Sequence, residues 1–144
     1  MKTTNINLYL KTINEVLDNV QKISAQMDPY YKIFRGALDN NEKVESQDYS
    51  DTQKNFKEGI QSYQHGLTKL EKINAPIMVI GIHRKLIADY RKYVAECEAM
   101  DKSINYVEKT VDKDAFDHSE IHQEEAIDKV NKDIQKIIRG LHLR

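Results

Sequence analysis

Four series of apolar residues recur along this chain at alternating steps of three and four, and no other feature constrains its fold as strongly. The first runs Ile6, Leu10, Ile13, Leu17, Val20, Ile23, Met27, Tyr31, Phe34, Leu38, and the second Phe56, Ile60, Tyr63, Leu67, Leu70, Ile73. The third is Val79, Ile82, Leu86, Tyr90, Tyr93, Cys97, Met100, Ile104, Val107, Val111, and the fourth Ile127, Val130, Ile134, Ile137, Leu141. An α-helix turns once in about 3.6 residues, so each series is one buried stripe, with Lys, Glu, Asp, Asn and Gln on the opposite face. With 5 Gly and 2 Pro in 144 residues, little in the chain interrupts helices, and the length suits one domain, 1–144, around a single core.

The junctions between the series carry their own chemistry. Asn40 and Asn41 close the first helix, because Asn tolerates the left-handed conformation, and the polar stretch EKVESQDY forms the longest loop. Ser50 and Gln53 read as a capping box that starts helix 2. The Asn-Ala-Pro at 74–76 ends helix 2 and starts helix 3, where proline is tolerated in a first turn. Gly140 suits a carboxy-terminal cap, and Lys136 and Arg139 face the negative end of the dipole. Pro29 conflicts with its surroundings: the stripe continues on both sides in phase, yet an interior proline costs about 3 kcal/mol. The expected result is a kink or a break there, with Asp28 as the cap of a new segment in the second case. Short connections at 74–76 and 112–116 favour antiparallel neighbours, so the chain is expected to form an all-α, up-down-up-down four-helix bundle.

Charge and cysteine usage narrow the function classes. A net charge of −1, from 22 basic and 23 acidic residues spread along the chain, provides no field to gather nucleic acid. No run reaches the roughly 18 consecutive apolar residues that span a bilayer. Cys97, the one cysteine, rules out an intrachain disulfide and suits a reducing cytoplasm. Cys97 sits in a core register, which favours an inert buried thiol over a nucleophile. No phosphate loop, zinc-protease motif or nucleophile elbow is present, so no enzyme activity and no cofactor are expected.

His118 and His122, in FDHSEIHQEE, stand four apart among carboxylates, the spacing at which two imidazoles on a helix share a metal ion. On a helical wheel, however, His122 lies about 100° and His118 about 140° from the centre of the helix 4 stripe. Bundle metal sites need inward ligands, typically Glu-x-x-His pairs, and no histidine here has a glutamate three residues before it. A plainer reading makes Asp117 a helix cap completed by Glu120, with Phe116 and Ile121 as a hydrophobic staple, leaving Asp114 outside the helix. His83 flanks the helix 3 stripe and reads as a structural histidine bonded to a carboxylate or tyrosine of another helix. Arg84, Lys85, Arg91 and Lys92 form a basic strip diluted by Asp89 and Glu96, a solvated face.

One feature exceeds what a monomeric bundle needs. Helix 3 carries a second apolar row, Ile80, Ile87 and Val94, widened by Ile77 and Met78, where an ordinary bundle helix has one apolar face. The row requires a cover: the segment from Pro29 to Asn40, a second subunit, or a bound apolar ligand. Gly81 within it permits close approach of another helix. The expected role is therefore a non-enzymatic one in protein–protein association, with a homodimer foremost, through Ile77, Ile80, Ile87 and Val94. The alternatives are a metal-binding bundle using His118 and His122, and a bundle that binds an apolar ligand.

Overall fold

Four helices dominate the computed structural model, which describes residues 5–142. Helix α1 spans Ile6–Asn40, α2 Ser46–Lys72, α3 Ile80–Lys102 and α4 Lys113–His142. A single 3₁₀ turn, Ile77–Val79, leads into α3, and a small hairpin of β1 (Ile104–Asn105) and β2 (Thr110–Val111) links α3 to α4. Helices α1 and α2 pack together, as do α3 and α4, with α2 against α3; the seam between α1 and α4 is the most open. This is the expected all-α four-helix arrangement.

The ends of α1 follow from their side chains. Asn5 Oδ1 accepts the Leu8 N–H at 3.0 Å, filling one of the orphan donors of the first turn. Asn41, at φ 55°, takes the left-handed conformation that closes the helix, with its N–H on the Gly36 carbonyl. Helix α1 runs through Pro29 without a break. The carbonyl that proline deprives of a donor belongs to Ala25, and both residues are exposed, so the missing bond falls on the solvent-facing side of the helix. Asp28 caps nothing and instead pairs with Lys32 at 2.8 Å.

Three expected boundaries are corrected, each because a buried aromatic or a turn outweighs a local signal. Helix α2 begins at Ser46, not Ser50: the Glu45 N–H donates to Asp48 at 2.9 Å. The extra turn brings Tyr49 inside, where it meets Phe34 edge-on at 5.2 Å and donates to the Lys109 carbonyl at 2.9 Å. Helix α3 stops at Lys102, so Ile104, Val107 and Val111 belong to the hairpin region and not to the helix. Asn105 Oδ1 accepts from Val107 and Glu108 N–H groups at 3.2 and 2.9 Å, and Lys109 adopts φ 60°, which together turn the chain. Helix α4 starts at Lys113, with Asp112 Oδ1 accepting from Ala115 N–H at 3.1 Å.

That last shift dissolves the expected cap and staple. Asp117 lies inside α4 and bridges Lys113 at 2.6 Å and Arg35 at 2.8 Å, while Asp114 occupies the first turn. Phe116 is fully buried and Ile121 is 55% exposed, so they do not form a pair. Gly140 is no cap either, because α4 continues to His142; a Cβ there would lie 2.9 Å from Val79 Cγ1, so glycine lets α4 meet the 3₁₀ turn.

The interior divides into two clusters. The larger includes Tyr9, Ile13, Leu70, Leu86, Tyr90, Val130 and Ile137 and lies toward the end where α1 and α3 begin. The smaller joins Phe34, Tyr49, Phe56, Met100, Ile104 and Phe116 beneath the hairpin. The segment from Pro29 to Asn40 covers this second cluster and does not reach the opening of α3.

Candidate functional site

At the end of the bundle where α1 and α3 begin, apolar side chains face outward instead of inward. Ile77 is 86% exposed, Leu8 55%, Ile80 and Met78 39%, and Ile6 38%. For Ile77 and Met78 the 3₁₀ turn is the cause. It carries Val79 into the core, where it is 1% exposed, and so aims its neighbours Ile77 and Met78 at solvent.

Ile77, Ile80 and a half-buried Ile87 line a groove of about 840 Å³, whose other wall comes from Leu8 of α1 and from Ile73 and Ala75 of the α2–α3 connection. Its floor is held by polar bonds. Tyr9 and His83, both lining it, join at 2.9 Å between the hydroxyl and Nδ1, and His83 Nε2 lies 2.9 Å from the Leu70 carbonyl. The rim carries both signs, Glu71 against Lys72 and Arg84. Nothing lies within 4 Å of the position a Cβ on Gly81 would take, so the backbone of α3 is bare beside the groove.

The structure brings together three of the four residues expected to form the association surface, Ile77, Ile80 and Ile87. Val94 it places elsewhere: at 3% exposure it belongs to the larger core cluster, facing other apolar side chains. Leu8 and Ile6 join the surface from α1, which the one-dimensional reading of α3 missed. For Leu8 the available signal was its register off the stripe of Leu10 and Ile13; Ile6, expected as the first residue of that buried stripe, is instead exposed because it lies in the first turn beyond the core.

The other candidates have local explanations. The His118 and His122 rings lie with centroids 4.0 Å apart, tilted by 32°, and His122 Nδ1 lies 3.7 Å from Glu125. Among the described residues, no group of three or more potential ligands is arranged to hold a metal ion. Cys97 is 4% exposed, and burial pushes its thiol pKa up to about 12, so the thiolate that would react is suppressed. His83 has the tyrosine partner expected of a structural histidine. Of the basic strip, Lys85 pairs with Asp89, Arg91 with Glu71 and Lys92 with Glu96. These pairs neutralise Lys85, Arg91 and Lys92 locally, with the Glu96 carboxylate itself buried.

No helix of the described residues is long and apolar enough to cross a membrane. No protein family, curated protein or solved structure was found to match the chain.

Proposed function

We propose that this protein is a non-enzymatic association module that forms a homodimer in the cytoplasm through the apolar end built by the starts of α1 and α3. One observation carries the reading. Among the described residues, five of the seven exposed large apolar side chains, Ile6, Leu8, Ile77, Met78 and Ile80, gather at that end. Scattered exposed apolar residues are ordinary, but a contiguous set rimmed by charge marks a surface that is covered in use.

A second copy of the chain suits the rim. A two-fold interface sets a patch against itself, and a rim that carries both signs, Glu71 with Lys72 and Arg84, avoids the repulsion a one-sign rim would bring. The bare backbone at Gly81 allows two α3 helices to cross closely. The test uses methyl-labelled methionine. On raising the concentration of the full chain, the Met78 methyl resonance shifts while those of Met27 and Met100, remote from this end, hold still. A Met78 signal constant from micromolar to millimolar concentration contradicts the reading.

A further inference from the structure

The open seam between α1 and α4 leads to a second cavity, unrelated to the apolar end. It measures about 270 Å³ and receives side chains from all four helices. Met27, Phe56, Met100 and Ile127 give it an apolar lining, and Tyr63 and Tyr93 line its inner wall beside Ser24.

The hydroxyls on that wall are unequally satisfied. Ser24 Oγ and the Tyr63 hydroxyl hold each other at 2.7 Å, whereas the Tyr93 hydroxyl lies 3.4 Å from each. Hydroxyl hydrogen bonds are strongest at about 2.5–3.0 Å, so both oxygen contacts of Tyr93, at 3.4 Å, are long and weak. The thiol of Cys97 beside it is a weak acceptor at best. Tyr93 is only 7% exposed, and its burial raises its pKa far enough that the proton stays on. A buried donor held only by long contacts forgoes part of its bonding, which an acceptor entering the cleft at shorter range recovers.

The mouth has the opposite need. Glu120 takes a hydrogen bond from Tyr31 and has Arg35 at 3.6 Å, and Glu124 has no ion pair among the described residues. Burial, and then the charge of Glu124, raises the Glu120 pKa, which marks a carboxylate pair short of positive charge. Asp28, also at the mouth, is already matched by Lys32. A carboxylate ligand would add to the repulsion, and a cation would relieve it.

We propose that this cleft binds a small organic amine: its apolar body lies against Met27, Phe56 and Met100, its ammonium group sits at Glu120 and Glu124, and an oxygen accepts from the Tyr93 hydroxyl. The weakly held donor inside, the apolar walls and the acidic mouth stand in the order in which such a molecule presents its groups. A cavity of this size holds a single aromatic ring with a short chain, which sets an expected affinity near millimolar.

Tyramine is the probe, and hydroxyphenylpropionate, which replaces its ammonium with a carboxylate, is the contrast. In the full chain carrying methyl-labelled methionine, tyramine produces saturable shifts at Met27 and Met100 and none at Met78. The Tyr93→Phe variant, which keeps the ring, weakens this binding about fivefold. Glu124 is exposed, so Glu124→Gln leaves the fold intact and weakens binding about threefold. Absence of saturable shifts up to about 10 mM tyramine overturns the proposal. So does equal affinity for hydroxyphenylpropionate, or unchanged binding in both variants.

Discussion

The Tyr9 hydroxyl and His83 Nδ1 meet at 2.9 Å across the start of α1 and α3, and the tautomer of His83 follows from its other bond. A carbonyl only accepts, so Nε2, 2.9 Å from the Leu70 carbonyl, carries the proton, and Nδ1 accepts from Tyr9. Burial lowers the His83 pKa, against a smaller opposing effect of the Leu70 bond. The folded state therefore holds a neutral ring where the unfolded chain begins to protonate near pH 6.5. Stability is present above that value and falls as pH drops from about 6.5 toward the lower folded pKa. Denaturation midpoints of the parent and of His83→Gln diverge above pH 7 and converge near pH 5. Tyr9→Phe costs about 1 kcal/mol, measured by urea unfolding at pH 7.5.

Asp133 gives the opposite slope. It is 1% exposed, with Lys85 Nζ 3.3 Å from Oδ1 and no partner for Oδ2. Burial, and then a hydrogen bond to Asp89, pushes its pKa up to about 6, while Asp89 is held below its ordinary value. The ionised carboxylate leaves Oδ2 without a donor, whereas the protonated group donates to Asp89. The folded state retains this proton between about pH 4 and pH 6, where the unfolded chain has lost it, so stability falls as pH rises through that window. Asp133→Asn supplies a permanent N–H and raises the thermal midpoint above the parent's at pH 7, with the difference vanishing near pH 4. The slope from His83 overlaps this window with opposite sign, so the difference curve of each variant against the parent is what separates them.

Two glycines in helices respond to alanine with opposite signs. A Cβ on Gly66 collides with the Tyr90 hydroxyl, which donates to the Tyr63 carbonyl at 2.8 Å. Gly66→Ala therefore destabilises by about 1–3 kcal/mol despite its better helix propensity. Gly81 faces open space, and Gly81→Ala stabilises the monomer by up to about 1 kcal/mol. The same added methyl weakens self-association, so unfolding and sedimentation of this variant move in opposite directions.

Cys97 is predicted to resist thiol reagents in the native protein. Its burial and its raised pKa, about 12, leave little thiolate at neutral pH. Labelling by an aromatic disulfide at pH 8 proceeds at the rate of unfolding and accelerates at least about a hundredfold in denaturant.

The helical stripes were legible because burial repeats with the helix: Ile13, Leu70, Leu86 and Ile137 all fall where the spacing puts them. The hairpin was not, since Ile104, Val107 and Val111 keep a helical spacing by coincidence and only Asn105 and Lys109 reveal the turn. The starts of α2 and α4 were misplaced by one turn each. Local capping signals at Ser50 and Asp117 were outweighed by Tyr49 and Phe116, whose burial depends on residues far away in sequence. Of the apolar end, Ile77, Ile80 and Ile87 were legible and Leu8 was not, because one stripe does not reveal which helix lies beside it. The cleft was invisible for the same reason: Tyr93 of α3 and Glu120 of α4 line one cavity only because the seam between α1 and α4 stays open.

Sedimentation velocity of the full chain against its Ile77→Glu, Ile80→Glu double variant tests the association surface most directly. Both side chains are exposed in the monomer, at 86% and 39%, so the variant remains folded by circular dichroism. The expected result is a parent that sediments as a dimer at high micromolar concentration and a variant that sediments as a monomer throughout. A parent that is monomeric at every concentration, or a variant that dimerises as well as the parent, contradicts the assignment.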